Sequence, residues 1–151
     1  SVEATTVGSG ILLSQDVDIY EGETAAETVV RMLQNNGYSV DYTGNYETGF
    51  YLARISSESN FVTGNIPEDL RTKLEEHGFE IYDFTPNSLG DYDFTKGSGW
   101  MYQVNGVYPN YGLSDYCFQN GDTLRLRFTL AYGADIGQDM TGGSDNWGYE
   151  W

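Results

Sequence analysis

The run LRLRFTL at residues 124–130 alternates without a break: Leu124, Leu126, Phe128 and Leu130 are apolar, and Arg125, Arg127 and Thr129 between them are polar. Successive side chains of a strand point to opposite faces, so this run demands a sheet with one face on a core and the other turned away from it. The turn Asn120-Gly121-Asp122 leads into it, and residues 100–104 and 114–118 read as two further strands. Between them lie Asn105-Gly106 and Pro109-Asn110-Tyr111-Gly112. Asn-Gly suits a tight turn because both residues accept positive φ. The last third of the chain is therefore expected to be β.

Upstream, the sequence supplies one strong helix and one weaker one. Thr24 followed by Glu27 has the spacing of a capping box. Ala26, Val29, Val30 and Leu33 then fall at helical spacing, and Gly37 supplies the stop. Pro67 opens a second helix over residues 67–77, with Glu68 and Asp69 at its positive end and Gly78 after it. That helix buries little beyond Leu70 and Leu74. Strands are expected at residues 11–20, 38–42, 50–55 and, briefly, 81–84. Residues 1–10 are small and polar without a period and read as a disordered lead-in. A helix on one face of a mixed sheet makes the fold class α+β.

Composition narrows the function. With 7 Lys plus Arg against 23 Asp plus Glu, the formal charge of −16 repels phosphate backbones and anionic lipid, which argues against nucleic-acid partners. Thirteen Tyr, 7 Phe and 3 Trp argue against disorder, the usual reading of such acidity. No apolar run approaches the roughly 20 residues that span a bilayer, so no direct membrane insertion is expected. The single cysteine, Cys117, excludes an intrachain disulfide and is expected to be a buried small hydrophobe. Richness in Tyr, Asn, Gly, Ser and Thr with little Lys suggests a bacterial exported protein. No charged-then-apolar leader opens the sequence, so any export signal is expected to lie outside these residues.

Residues 98–128, SGWMYQVNGVYPNYGLSDYCFQNGDTLRLRF, resemble the transcobalamin-like C-terminal domain family. Gly99-Trp100-Met101-Tyr102 is similar to that family's aromatic-bearing strand, and Gly112-Leu113-Ser114-Asp115-Tyr116 to its Gly-aliphatic-small-Asp-Tyr segment. Asn120-Gly121-Asp122-Thr123 is similar to its turn before an alternating strand, and Tyr20-Glu21-Gly22-Glu23-Thr24 to its early strand-to-helix junction. In the Ser98–Tyr102 and Tyr108–Gly112 runs the sequence resembles surface domains of gut Firmicutes. The resemblance covers residues 11–137, with an insertion at 56–93 and a Gly/Asp/aromatic tail at 138–151. It implies a β-grasp-like mixed sheet with one main helix packed on it, plus a second helix in the insertion. It also implies an extracellular or cell-surface module. Family members that bind cobalamin do so between this β-domain and an α-helical barrel; this sequence holds no such barrel, so one wall of a site and weak affinity are implied.

The candidate ligand-binding residues are Trp100, Tyr102, Gln103, Tyr108, Pro109 and Tyr111, clustered around two tight turns, because aromatics on a rigid hairpin give contact area at low entropy cost. Alternation puts Trp100 and Tyr102 on one face and Met101 and Gln103 on the other; Gln103 disfavours the phase that would leave the aromatics free. The expected function is non-catalytic recognition of a corrinoid or other flat small molecule, with a small molecule or a partner surface domain as partner. The alternative is a structural or adhesive surface module that binds calcium or another metal. Asp135, Asp139 and Asp145, set among glycines, are its candidate ligands, since carboxylate oxygens suit a hard cation. His77, the only histidine, ends the second helix, where its expected role is structural. No nucleophile sits in a catalytic context, so no enzyme is expected.

Overall fold

The computed structural model describes residues 1–138 and 150–151. Its centre is the segment expected to be a disordered lead-in. Val2–Ala4 forms strand β1, with Val2 and Ala4 wholly buried and Glu3 between them on the opposite face. A single 3-10 turn, Thr5–Val7, follows, and Gly10–Leu13 returns antiparallel as β2. Three residues with two small apolar side chains carry too little pattern to be read as a strand. Their partner is distant: β1 runs parallel to Leu124–Thr129, with Val2 opposite Leu126 and Glu3 opposite Arg127.

Helix α1, Ala25–Asn35, forms as its sequence demands. The Thr24 hydroxyl accepts from the Glu27 N–H at 3.3 Å, and Ala25, Ala26, Val29, Val30, Met32 and Leu33 turn into the core. Strands β3 (Ser39–Thr43) and β4 (Tyr51–Ser56) then pair antiparallel. Helix α2, Glu68–Glu76, buries Leu70 and Leu74. Residues 81–84 do not form the short strand expected; Phe84 instead stacks on Phe94 at 4.7 Å. The third strand of that sheet is β5, Ser88–Gly90, paired with β4.

Strand β6, Gly99–Val104, and strand β7, Leu124–Thr129, pair antiparallel, with Trp100 opposite Phe128 and Tyr102 opposite Leu126. The result is two sheets: β2-β1-β7-β6, parallel only at β1–β7, and the antiparallel β3-β4-β5. A parallel central pair flanked by two antiparallel partners, with α1 following the first hairpin, is the β-grasp-like α+β arrangement. The core contains Val2, Val29, Leu33, Ile55, Leu89 and Phe128 in one cluster. Among the described residues no helix is long and apolar enough to cross a membrane.

Residues 114–118 do not make a strand. Leu113–Asp115 is one 3-10 turn, and the Tyr116 carbonyl accepts the Ala25 N–H at 2.6 Å, so the segment caps the start of α1 rather than joining a sheet. Cys117 in this segment is exposed, not buried. Tyr116, Cys117 and Phe118 alternate in exposure, but among the described residues no strand pairs with them.

Candidate functional site

The structure divides the expected aromatic cluster between the two faces of one sheet. Trp100 lies on the core face, 5% exposed, edge-on to Phe128 at 5.2 Å, and its Nε1–H donates to the Leu89 carbonyl at 2.9 Å. Gln103 and Tyr108 belong to the other side. Gln103 is buried and accepts from Arg125 Nη1 at 3.3 Å. The Tyr108 hydroxyl, buried as well, donates to the Ile136 carbonyl at 2.7 Å and accepts from Arg127 Nη1 at 3.3 Å. Burial raises its pKa. These three side chains hold the molecule together and are not free to meet a ligand. Pro109 is half-buried.

The back face of β1 and β7 is an ion-pair layer that alternation alone would have left facing water. Arg125 grips Glu3 with two bonds, of 2.7 and 2.8 Å, and the guanidinium holds the Glu3 carboxyl down at about 2. Arg127, 5% exposed, pairs with Glu3 at 3.9 Å and with Glu150. Residues 131–138 cover this layer. The expected metal ligand Asp135 is buried there, accepting from the Thr129 hydroxyl and from the Leu130 N–H at 2.7 Å. Asp139 and Asp145 lie outside the described residues. Among the described residues no three His, Cys, Asp or Glu side chains come together as a metal site. His77 stacks on Trp151 at 4.4 Å.

Tyr102 and Tyr111 do meet. The Tyr102 hydroxyl donates to the Tyr111 carbonyl, and burial pushes the Tyr102 phenol well above its usual range. Tyr111 stacks on Tyr116 at 5.8 Å, and Tyr116 meets Phe118 edge-on at 5.5 Å. This aromatic chain ends at a cleft. The Tyr116 hydroxyl donates to Asp122 Oδ2 at 2.5 Å, which pushes the phenol up to about 12 and holds the Asp122 carboxyl low. Asp122 also accepts from the Gln119 N–H and from Asn105 Nδ2, each at 2.9 Å, so one carboxylate pins the 116–122 loop to the Asn105-Gly106 turn. Asn105 and Gly106 take φ of 53° and 84°, as that turn requires.

The cleft has a volume of about 810 Å³. One wall is the extended stretch 14–19, the floor is Thr28, Val29 and Met32 of α1, and the other wall is residues 118–124. Val17, Ile19 and Phe118 supply apolar surface; Gln15, Gln119 and Asn120 supply amides. Sequence reasoning missed this site because residues 11–20 read as one strand. The strand β2 stops at Leu13, and the residues beyond it form a wall.

The family model described as a domain of unknown function (DUF4430) matches residues 77–129, from the end of α2 to the last residue of β7. No curated protein and no solved structure matches the chain.

Proposed function

We propose that this chain is a non-catalytic, extracellular binding module that takes a flat organic molecule, of the corrinoid kind, in the cleft between residues 14–19 and 118–124. The cleft carries the reading: its size falls in the range of small-molecule sites, and its lining sets apolar side chains among hydroxyls, amides and two carboxylates. The β-grasp-like strand order and the DUF4430 match over residues 77–129 support kinship with the transcobalamin-like C-terminal domains, which residues 98–128 resemble. The ligand-facing aromatic is then Phe118, backed by Tyr116 and Tyr111, in place of Trp100 and Tyr108. A binding role rather than catalysis is supported by where the reactive groups sit: His77 is stacked on Trp151 and Asp135 is committed to the backbone.

Calorimetric titration of cobalamin, cobinamide and heme into the wild-type chain and Phe118→Ala tests this. Binding of at least one, weakened in the variant, is expected. No heat from any of the three at near-millimolar protein overturns the corrinoid reading, and binding indifferent to Phe118 overturns the location.

A further inference from the structure

Carboxylates outnumber cations around the cleft. Asp16 stands on one wall and Asp122 on the other; the one ammonium on the lining, that of Ser1, is spent on the Leu124 carbonyl at 2.7 Å, and among the described residues neither Lys nor Arg lines the space. Asp122 stays ionised at neutral pH because the Tyr116 hydroxyl, the Gln119 N–H and the Asn105 amide all donate to it. Arg31 shares helix α1 with Thr28 and Met32 but is turned elsewhere: Glu23 holds it at 2.8 Å, the Asp18 carbonyl at 2.6 Å, and its guanidinium lies 4.6 Å over the Tyr20 ring. Arg54, Arg125 and Arg127 are paired with Asp93, Glu3 and Glu150. The surrounding field, from a chain of charge −16, adds to the same sign.

We infer that the cleft selects its ligand by charge: it takes an organic cation whose apolar body lies against Phe118, and rejects anions of the same shape. This rests on the reading of the cleft as the binding site. A cation gains from both walls and from the face of an aromatic ring. An anion meets two carboxylates against one ammonium that is already bonded to the Leu124 carbonyl, a built-in selection against the wrong partner.

Three xanthene dyes of one skeleton test it by fluorescence anisotropy: rhodamine 6G, a cation; rhodamine B, a zwitterion; and fluorescein, a dianion. Rhodamine 6G is expected to bind at least about tenfold more tightly than fluorescein, with rhodamine B between them. Asp16→Asn is expected to weaken rhodamine 6G roughly threefold to tenfold. Glu58→Gln removes the same charge from an exposed carboxylate that does not line the cleft, and no change is expected. Fluorescein binding as well as rhodamine 6G, or Glu58→Gln matching Asp16→Asn, overturns the charge selection and leaves the cleft standing. Failure of all three dyes to bind overturns the inference alone; the cleft itself stands or falls by the titrations of wild type and Phe118→Ala.

Discussion

The indole of Trp100 donates to the backbone carbonyl of Leu89 at 2.9 Å, and that bond ties the mixed sheet to the outer strand of the antiparallel one. Leu89 is fully buried, so no water replaces a lost donor. Trp100→Phe keeps an aromatic ring against Phe128 but leaves that carbonyl unpaired, at a cost of about 1–3 kcal/mol. Trp100→Ala adds a cavity and is expected to cost about 3–5 kcal/mol. Guanidinium unfolding reads both. Affinity for a cleft ligand should be unchanged in Trp100→Phe, since Trp100 does not line the cleft.

Acid should unfold this protein partly through Glu3. Its carboxyl, ordinarily near 4.5, is held at about 2 by the Arg125 guanidinium. A depressed folded-state value means the unfolded chain takes up the proton first. The stabilisation is therefore complete above about pH 4.5 and is lost as pH falls toward 2. It amounts to roughly 2–3 kcal/mol for this side chain, which is largely shielded from solvent. Urea midpoints measured between pH 6 and 2.5 should fall more steeply for the wild type than for Glu3→Gln. Parallel curves would assign the acid sensitivity to other carboxylates.

Asp135 is a brace for the residues that close the back of the sheet. Both its oxygens are used, by the Thr129 hydroxyl and the Leu130 N–H. Asp135→Ala strands a buried N–H and is expected to lower stability by about 1–3 kcal/mol. The loss should be the same in calcium and in chelator. A calcium-dependent loss would restore Asp135 as a metal ligand, because only an ion bound to the folded state shifts the midpoint in this way.

Cys117 is solvent-exposed, so its thiol should react with a disulfide dye in the native protein as fast as in denaturant, within a fewfold. Protection until unfolding would show that the 116–122 loop packs more tightly than described above.

The strongest local signals in the sequence were true to the structure. Thr24, Val29, Val30 and Leu33 specify α1 by themselves, and the alternation at residues 124–130 specifies β7 and its core face. Pattern fails where a segment's partner is remote. Val2 and Ala4 make a central strand only because Leu126 lies beside them, more than a hundred positions away. Arg127 looked outward because alternation says nothing of what covers the second face; Asp135 and Ile136, which cover it, are too few to show a period. The site suffered from the same blindness. Trp100, Gln103 and Tyr108 are near one another in sequence, yet alternation and a turn send them to opposite sides of the sheet. Phe118, Val17 and Met32 line one cleft because three separate segments converge, and no short window of sequence contains them.

The parallel pairing of β1 with β7 has a kinetic meaning. During synthesis residues 2–3 emerge more than a hundred positions before the strand they need, at residues 126–127. The middle of the mixed sheet therefore cannot close until almost everything between has been made and brought round. Non-local pairings of this kind slow folding. The nascent chain must carry the β1–β2 hairpin without its parallel partner until residues 126–127 have been made, and refolding is expected to be limited by this single closure rather than by the helices.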